Sequence, residues 1–321
     1  MTTNSTPTSN SILQGKPLEY LTDVSPKDKP WDEHRAQAQQ VEGLYSGTCF
    51  DRLAERIHHC TGYLGFAWAT DPESGEAQLK LVAAQFCRVR HCPVCQWRRS
   101  LMWQARLLRV LPEIESDFPT ARWIFLTLTV RNCAITNLRS TIQQMNLSFN
   151  RFVQRREFVG NVFGWIRATE VTRGHDGSAH PHFHCLLMVR PSYFTHNYIK
   201  QARWTELWQQ SARLSYTPIV HVQAVKNRRG SEHPLRAAIA ETLKYSIKPE
   251  DLMDREWLLE LTSQVHKLRF IGSGGLLREV LRESEEETEE DLMLFDENGE
   301  QQVDPEIFFA WHRQIQRYVR L

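Results

Sequence analysis

His182 and His184 stand two residues apart in the run His180-Pro181-His182-Phe183-His184-Cys185-Leu186-Leu187-Met188-Val189. On a strand, alternation puts His182, His184, Leu186 and Met188 on one face. Phe183, Cys185, Leu187 and Val189 take the other face and are apolar, which predicts a strand central in its sheet. Two imidazoles on one face can share a metal ion, whereas a single strand histidine is more often a core or surface residue. The preceding strand offers a carboxylate. With the turn in TRGHDGSA centred near Asp176, Glu170 falls opposite His182. Antiparallel partners stand roughly 4.5–5.5 Å apart between Cβ atoms. A salt bridge from Glu170 to Arg167 or Arg173 is the plainer alternative. A carboxylate and two imidazoles with open positions suit a divalent cation that also binds phosphate oxygen, Mn2+ or Mg2+.

A second polar group lies on the helix predicted over His233–Lys248. At 100° per residue, Glu241, Tyr245 and Lys248 fall within about 60° of one another. Leu235, Ile239, Leu243 and Ile247 take the opposite side, and Ala237 and Ala238 leave room for a ligand. A tyrosine on such a face is a candidate nucleophile. By itself the helix equally suits an exposed tyrosine in a pattern of spaced charges.

The segment Cys87-Arg88-Val89-Arg90-His91-Cys92-Pro93-Val94-Cys95 places three thiols within nine residues. A tetrahedral zinc ion needs four soft ligands, and Cys-x2-Cys supplies two with a suitable bite. Cys60, upstream of a predicted hairpin, completes an all-cysteine set; His58, His59 and His91 compete for the fourth place. Free buried cysteines are the simpler reading. Such a zinc would be structural, stapling a small hairpin with few core residues. Arg88, Arg90, Arg98, Arg99 and Arg106 follow without an acidic residue between them, interleaved with Trp97 and Trp103. That composition suits DNA phosphate contact with base stacking, or else a solvated helix face whose tryptophans enter the core.

These groups need strands and helices to hold them. Alternating apolar runs predict a hairpin over Leu64–Ala69 and Ala77–Gln85, then strands at Trp123–Val130, Phe163–Val171, His180–Arg190 and Ile219–Val225. Helical spacing marks 42–60, Val94–Leu111, 136–157 and Tyr198–Leu214, and Asp304 with Pro305 reads as the start of a last helix. Strands and helices mix without a βαβ rhythm, which predicts an α+β fold with a largely antiparallel sheet. The domain reading is a disordered arm at 1–38, a zinc-binding and DNA-contacting segment at 39–115, a catalytic domain at 116–278, and an acidic segment with a C-terminal helix at 279–321.

Composition narrows the class. The 321 residues are 41% hydrophobic and 24% charged, as in a soluble globular protein. No apolar run approaches the ~20 residues of a membrane span. The N-terminus has no basic and apolar leader, so a cytoplasmic protein is expected. The net charge of +1 hides an asymmetry: residues 283–300 hold ten acids and no Lys or Arg. Elsewhere 39 basic residues face 28 acidic ones, a surplus of +11 that fits a polyanion partner.

Phe125-Leu126-Thr127-Leu128-Thr129, His180–His184 and Glu241-x3-Tyr245-x2-Lys248 come in the order of the three motifs of the HUH endonucleases. With the Cys60…Cys87…Cys92-x2-Cys95 segment running into Trp97-Arg98-Arg99-Ser100, the chain resembles the plasmid rolling-circle replication initiators that pair one tyrosine with a glutamate. The resemblance covers about residues 55–280. It implies an HUH core of antiparallel sheet and flanking helices. It also implies His182 and His184 as ligands to Mn2+ or Mg2+, with Glu170 a third. Tyr245 would attack the origin DNA to leave a 5′-phosphotyrosyl link, and Glu241 would activate a water that ends the cycle. Lys248 would neutralise phosphate or orient the tyrosine, and Thr127 and Thr129 would line the site. The implied partners are single-stranded or hairpin origin DNA, with host helicase and polymerase. A transposase or relaxase of the same superfamily, a zinc-containing DNA-binding regulator without catalysis, and a hydrolytic metalloenzyme on a small substrate are the competing readings.

Overall fold

Trp31, Arg35, Ala38, Val41 and Tyr45 recur at helical spacing and bury one side of α1 (Lys29–Tyr45). The structure is a computed structural model that describes residues 12–13, 16–70, 75–226, 234–244, 246–278, 292–293 and 304–321. α1 corrects the disordered arm expected through residue 38: its buried stripe begins at Trp31. It also corrects the single helix expected over 42–60. Gly47 takes φ +69°, a left-handed turn that glycine adopts without strain, and the chain restarts as α2 (Asp51–His58). The expected hairpin follows as β1 (Tyr63–Thr70) and β2 (Ala77–Ala84), paired antiparallel.

Packing divides the chain into two units: residues 1–95 with 289–294 and 298–321, and residues 96–288 with 295–297. The second holds most of α3 (Pro93–Asp117), then β3 (Arg122–Thr129), α4 (Leu138–Phe152), β4 (Val162–Arg173) and β5 (Ala179–Val189). It continues with α5 (Gln201–Ala212), β6 (Val220–Ala224), α6 (Pro234–Thr242), α7 (Arg255–Gln264) and β7 (Ile271–Gly275). The five strands form one antiparallel sheet in the order β6-β3-β5-β4-β7, so the histidine strand is central as predicted. Phe183, Cys185, Leu187 and Val189 pack with Phe149, Phe152, Trp204 and Trp208 of α4 and α5. On the opposite face Leu186 and Met188 pack with Leu107 and Leu111 of α3 and Ile239 of α6. The α+β class with antiparallel sheets is therefore the observed one.

The C-terminus departs from expectation. No helix starts at Asp304; Ile307–His312 (β8) and Arg317–Arg320 (β9) form a hairpin, and β8 pairs with β1. The first unit's sheet thus runs β9-β8-β1-β2. Ile307 and Phe309 point into the core while Phe308 faces out, the period of two that a strand requires. The Asp-Pro pair resembles a helix start, but the apolar alternation after it decides the outcome. The acidic stretch is described only at residues 292–293; the rest of 283–300 lies outside the described residues.

Tyr318 of β9 ties this unit together. Its backbone N–H donates to Asp32 Oδ1 at 2.8 Å, and its hydroxyl donates to the Thr61 carbonyl at 2.7 Å. Thr61 holds φ +49°, a strained value for a β-branched residue, in the turn just after Cys60. Tyr318 and Thr61 are both fully buried. Tyr318→Phe leaves that carbonyl without the hydroxyl's hydrogen bond and is expected to cost about 1–3 kcal/mol. Denaturant unfolding checks this, with the loss appearing as a lower midpoint at unchanged slope.

Candidate functional site

The register of β4 against β5 pairs Glu170 with His182 and Ala168 with His184. Gly177, at φ +78°, makes the connecting turn possible, and Asp176 Oδ1 accepts from the Ser178 N–H at 3.0 Å. On the other side of β5, Thr127 of β3 faces His184 and Thr129 faces His182. Glu170, His182 and His184 therefore meet on one buried patch of the sheet. Glu170 Oε2 lies 2.7 Å from His184 Nε2 and 3.3 Å from His182 Nε2, and the two Nε2 atoms are 3.1 Å apart. Ligands at about 2.1 Å on adjacent octahedral positions stand about 3.0 Å from one another. The three donors thus have the spacing that a single divalent cation would need.

The surroundings set the rings. His182 Nδ1 lies 3.2 Å from the His180 carbonyl; with the proton on Nδ1, Nε2 would be available to a cation. Phe125 stacks on the His184 ring with centroids 5.4 Å apart. Thr127 Oγ1 lies 3.5 Å from His184 Nδ1, whereas Thr129 is turned away and donates to the Ile219 carbonyl. The alternative partners of Glu170 are elsewhere. Arg167 is on the opposite face against the Phe183 and Phe149 rings, where burial lowers its pKa to about 10, and Arg173 pairs with Asp254 at 2.6 Å. Burial alone would raise the Glu170 pKa, but the His182 and His184 imidazoles and the Lys244 ammonium bring it well below the usual carboxylate range. Its stabilising contribution is therefore complete above the ordinary glutamate pKa and is lost only as pH falls through the depressed value.

The helix carrying Glu241 is shorter than predicted. α6 ends at Thr242, where the side chain bonds back to the Ala238 carbonyl and Ser100 Oγ of α3 caps the Leu243 carbonyl at 2.6 Å. The chain then leaves the helix axis, and the Val171 N–H of β4 donates to the Ser246 carbonyl at 2.9 Å. Lys248 is a correction: it precedes the short turn Pro249–Met253 and is not on the helix face with Glu241. Tyr245 lies outside the described residues. Lys244 is the residue that sequence reasoning missed. Its Nζ stands 3.0 Å from Glu170 Oε2 and 2.7 Å from Glu241 Oε1. Burial would lower its pKa, but the Glu241 and Glu170 carboxylates raise it on balance. An unbroken helix would already set Lys244 one turn on from Glu241, about 60° round the axis; that spacing was the available signal, and the contact with Glu170 needed the fold.

In the first unit Cys60, Cys87, Cys92 and Cys95 converge. Cys60 Sγ lies 3.7 Å from Cys92 Sγ and 3.7 Å from Cys95 Sγ, and Cys87 Sγ is 3.6 Å from Cys95 Sγ. Metal–thiolate bonds of about 2.3 Å give tetrahedral edges of about 3.8 Å, so the spacing fits one tetrahedral cation. The Cys87 and Val89 N–H groups point at Cys60 and Cys87 Sγ, and the left-handed Arg88 (φ +54°) makes that turn. Burial pushes the Cys87 thiol far up, so a cluster of thiolates here calls for a cation. His58, the competing ligand, is instead bonded to Glu42 at 2.8 Å.

The replication protein family matches residues 78–319. A Protein rep of Lentilactobacillus hilgardii is 33% identical over 314 residues, covering 94% of this chain and 98% of that one. One from Bacillus amyloliquefaciens is 35% identical over 312 residues, with 90% and 89% covered. One from Streptococcus pneumoniae is 32% identical over 302 residues, with 91% and 92% covered. The chain belongs to the replication protein family. This agrees with the motif resemblance to plasmid rolling-circle initiators. No solved structure matches the chain. In this family member the arginines read as DNA contacts divide. Arg88 is exposed and Arg90, Arg99 and Arg106 are half-buried. Arg98 is buried over the Trp97 ring. Among the described residues no helix is long and apolar enough to cross a membrane. Elemental analysis of purified protein is expected to find one tightly held thiophilic cation per chain. Cys92→Ser is expected to lose it and to lower the thermal midpoint.

Proposed function

We propose that this replication protein is a metal-dependent nickase and strand transferase that opens one strand at a plasmid origin, starts rolling-circle replication and later rejoins the strand. The convergence of Glu170, His182 and His184 on one point carries this reading. A divalent cation, Mn2+ or Mg2+, would be held by these three residues and would supply Lewis-acid stabilisation of charge on the scissile phosphate. The Tyr245 hydroxyl attacks phosphorus, the bond to the 3′ oxygen breaks, and a 5′-phosphotyrosyl ester forms beside a free 3′-OH. That ester conserves the bond energy, so a later 3′-OH can displace the tyrosine without ATP. Glu241 accepts a proton from the water that ends the cycle. Lys248 is off the helix face but is near Tyr245 in sequence, and phosphate neutralisation remains its proposed role.

The four thiols hold structural zinc in this reading, and Arg88, Arg90, Arg99 and Arg106 contribute positive charge towards DNA. Origin DNA would be single-stranded or extruded at the nick, so that a phosphate can reach the donors on the sheet. Host helicase and polymerase would then act on the exposed 3′ end. Mixing the protein with Mn2+ and a labelled single-stranded origin oligonucleotide tests the mechanism. A denaturation-resistant protein–DNA adduct is expected, absent in Tyr245→Phe. Cleavage without an adduct, or an adduct that persists in Tyr245→Phe, overturns it.

A further inference from the structure

Lys244 bridges two carboxylates that the proposed reaction uses differently. Its ammonium is 3.0 Å from Glu170 Oε2, an oxygen of the cation site, and 2.7 Å from Glu241 Oε1. Glu170 is buried, while the Glu241 side chain is about half exposed and the Lys244 side chain about one-third exposed. Two carboxylates so close repel each other, and the exposed one is free to swing into solvent. The lysine removes that repulsion and holds the mobile carboxylate at the buried one. Its own backbone is fixed from both sides, by Ser100 on the Leu243 carbonyl and by Val171 on the Ser246 carbonyl. Glu170, Glu241 and Lys244 together carry one negative charge, which suits a site that would hold a divalent cation.

We propose that Lys244 is a positioning residue that holds Glu241 at the cation site and so serves the hydrolytic step that ends the cycle more than the tyrosine attack that begins it. This rests on the nicking mechanism above. In the ending step a water oxygen bonds to phosphorus and Glu241 takes the water's proton. The bond from phosphorus to the tyrosyl oxygen breaks, and the departing phenolate receives a proton back through solvent. Glu241 must stand within reach of that water, so its placement limits the rate. The opening step uses Tyr245 as nucleophile and does not call on Glu241.

The test uses full-length protein with Mn2+ and origin oligonucleotides, and measures adduct formation and hydrolytic adduct release separately in single turnovers. Lys244→Ala is expected to slow release by about tenfold or more. Adduct formation should fall clearly less than release, with both steps compared at saturating Mn2+, the saturation being checked by direct titration for each variant. Lys244→Arg should recover much of the release rate, and Lys244→Ala should add no further loss in a Glu241→Gln background. Lys244→Met carries the same test if the alanine variant folds poorly. Equal losses in formation and release, or an additive loss in the Glu241→Gln background, overturn the positioning role. Absence of any adduct with the unsubstituted protein overturns the underlying mechanism instead.

Discussion

The pairing of Glu170 with His182 across β4 and β5 is the constraint on which the site depends. Strand side chains alternate, so a slip of one residue would send Glu170 to the face of Phe149 and Trp208 and leave the imidazoles without their carboxylate. The turn at Gly177 sets the register, and the apolar residues on the other face of β5 enforce it. Phe183, Cys185, Leu187 and Val189 fix which way the histidines point. The core and the candidate site are two sides of one strand.

Burial gives the site its electrostatic character. A buried carboxylate is costly to ionise unless positive groups and donors meet it. Glu170 has two imidazoles and one ammonium within 3.3 Å. The same logic holds in the first unit, where four buried thiols converge behind a turn strained at Thr61 and stapled by Tyr318. In each unit strand pairing brings together residues distant in sequence, and polar groups stabilise an arrangement that apolar packing alone would not specify.

Much of this was legible in the sequence because it depends on local periodicity. Alternation put His182 and His184 on one face, a glycine-containing turn of the right length put Glu170 opposite, and Cys-x2-Cys spacing marked the thiol cluster. The rest depends on distant partners. Helical periodicity continues smoothly from His233 to Lys248, so nothing local foretells that Ser100 caps the Leu243 carbonyl and Val171 draws Ser246 to the sheet. That early ending removes Lys248 from the helix face, while Lys244 keeps the i,i+3 spacing of a helix pair with Glu241. The Asp304-Pro305 pair carries a local helix signal, but the strand that overrides it finds its partner at Tyr63–Phe66. Helix α1 was hidden by the polar composition of the residues before it.

The proposed nicking requires one divalent cation bound at the sheet through His182 and His184. Pulsed EPR of the Mn2+-loaded protein measures this directly, through coupling of the manganese spin to ligand nitrogen. Coupling to two imidazole nitrogens is expected, with one lost in each of His182→Ala and His184→Ala. Bound Mn2+ without imidazole coupling, or coupling unchanged in both variants, would contradict it.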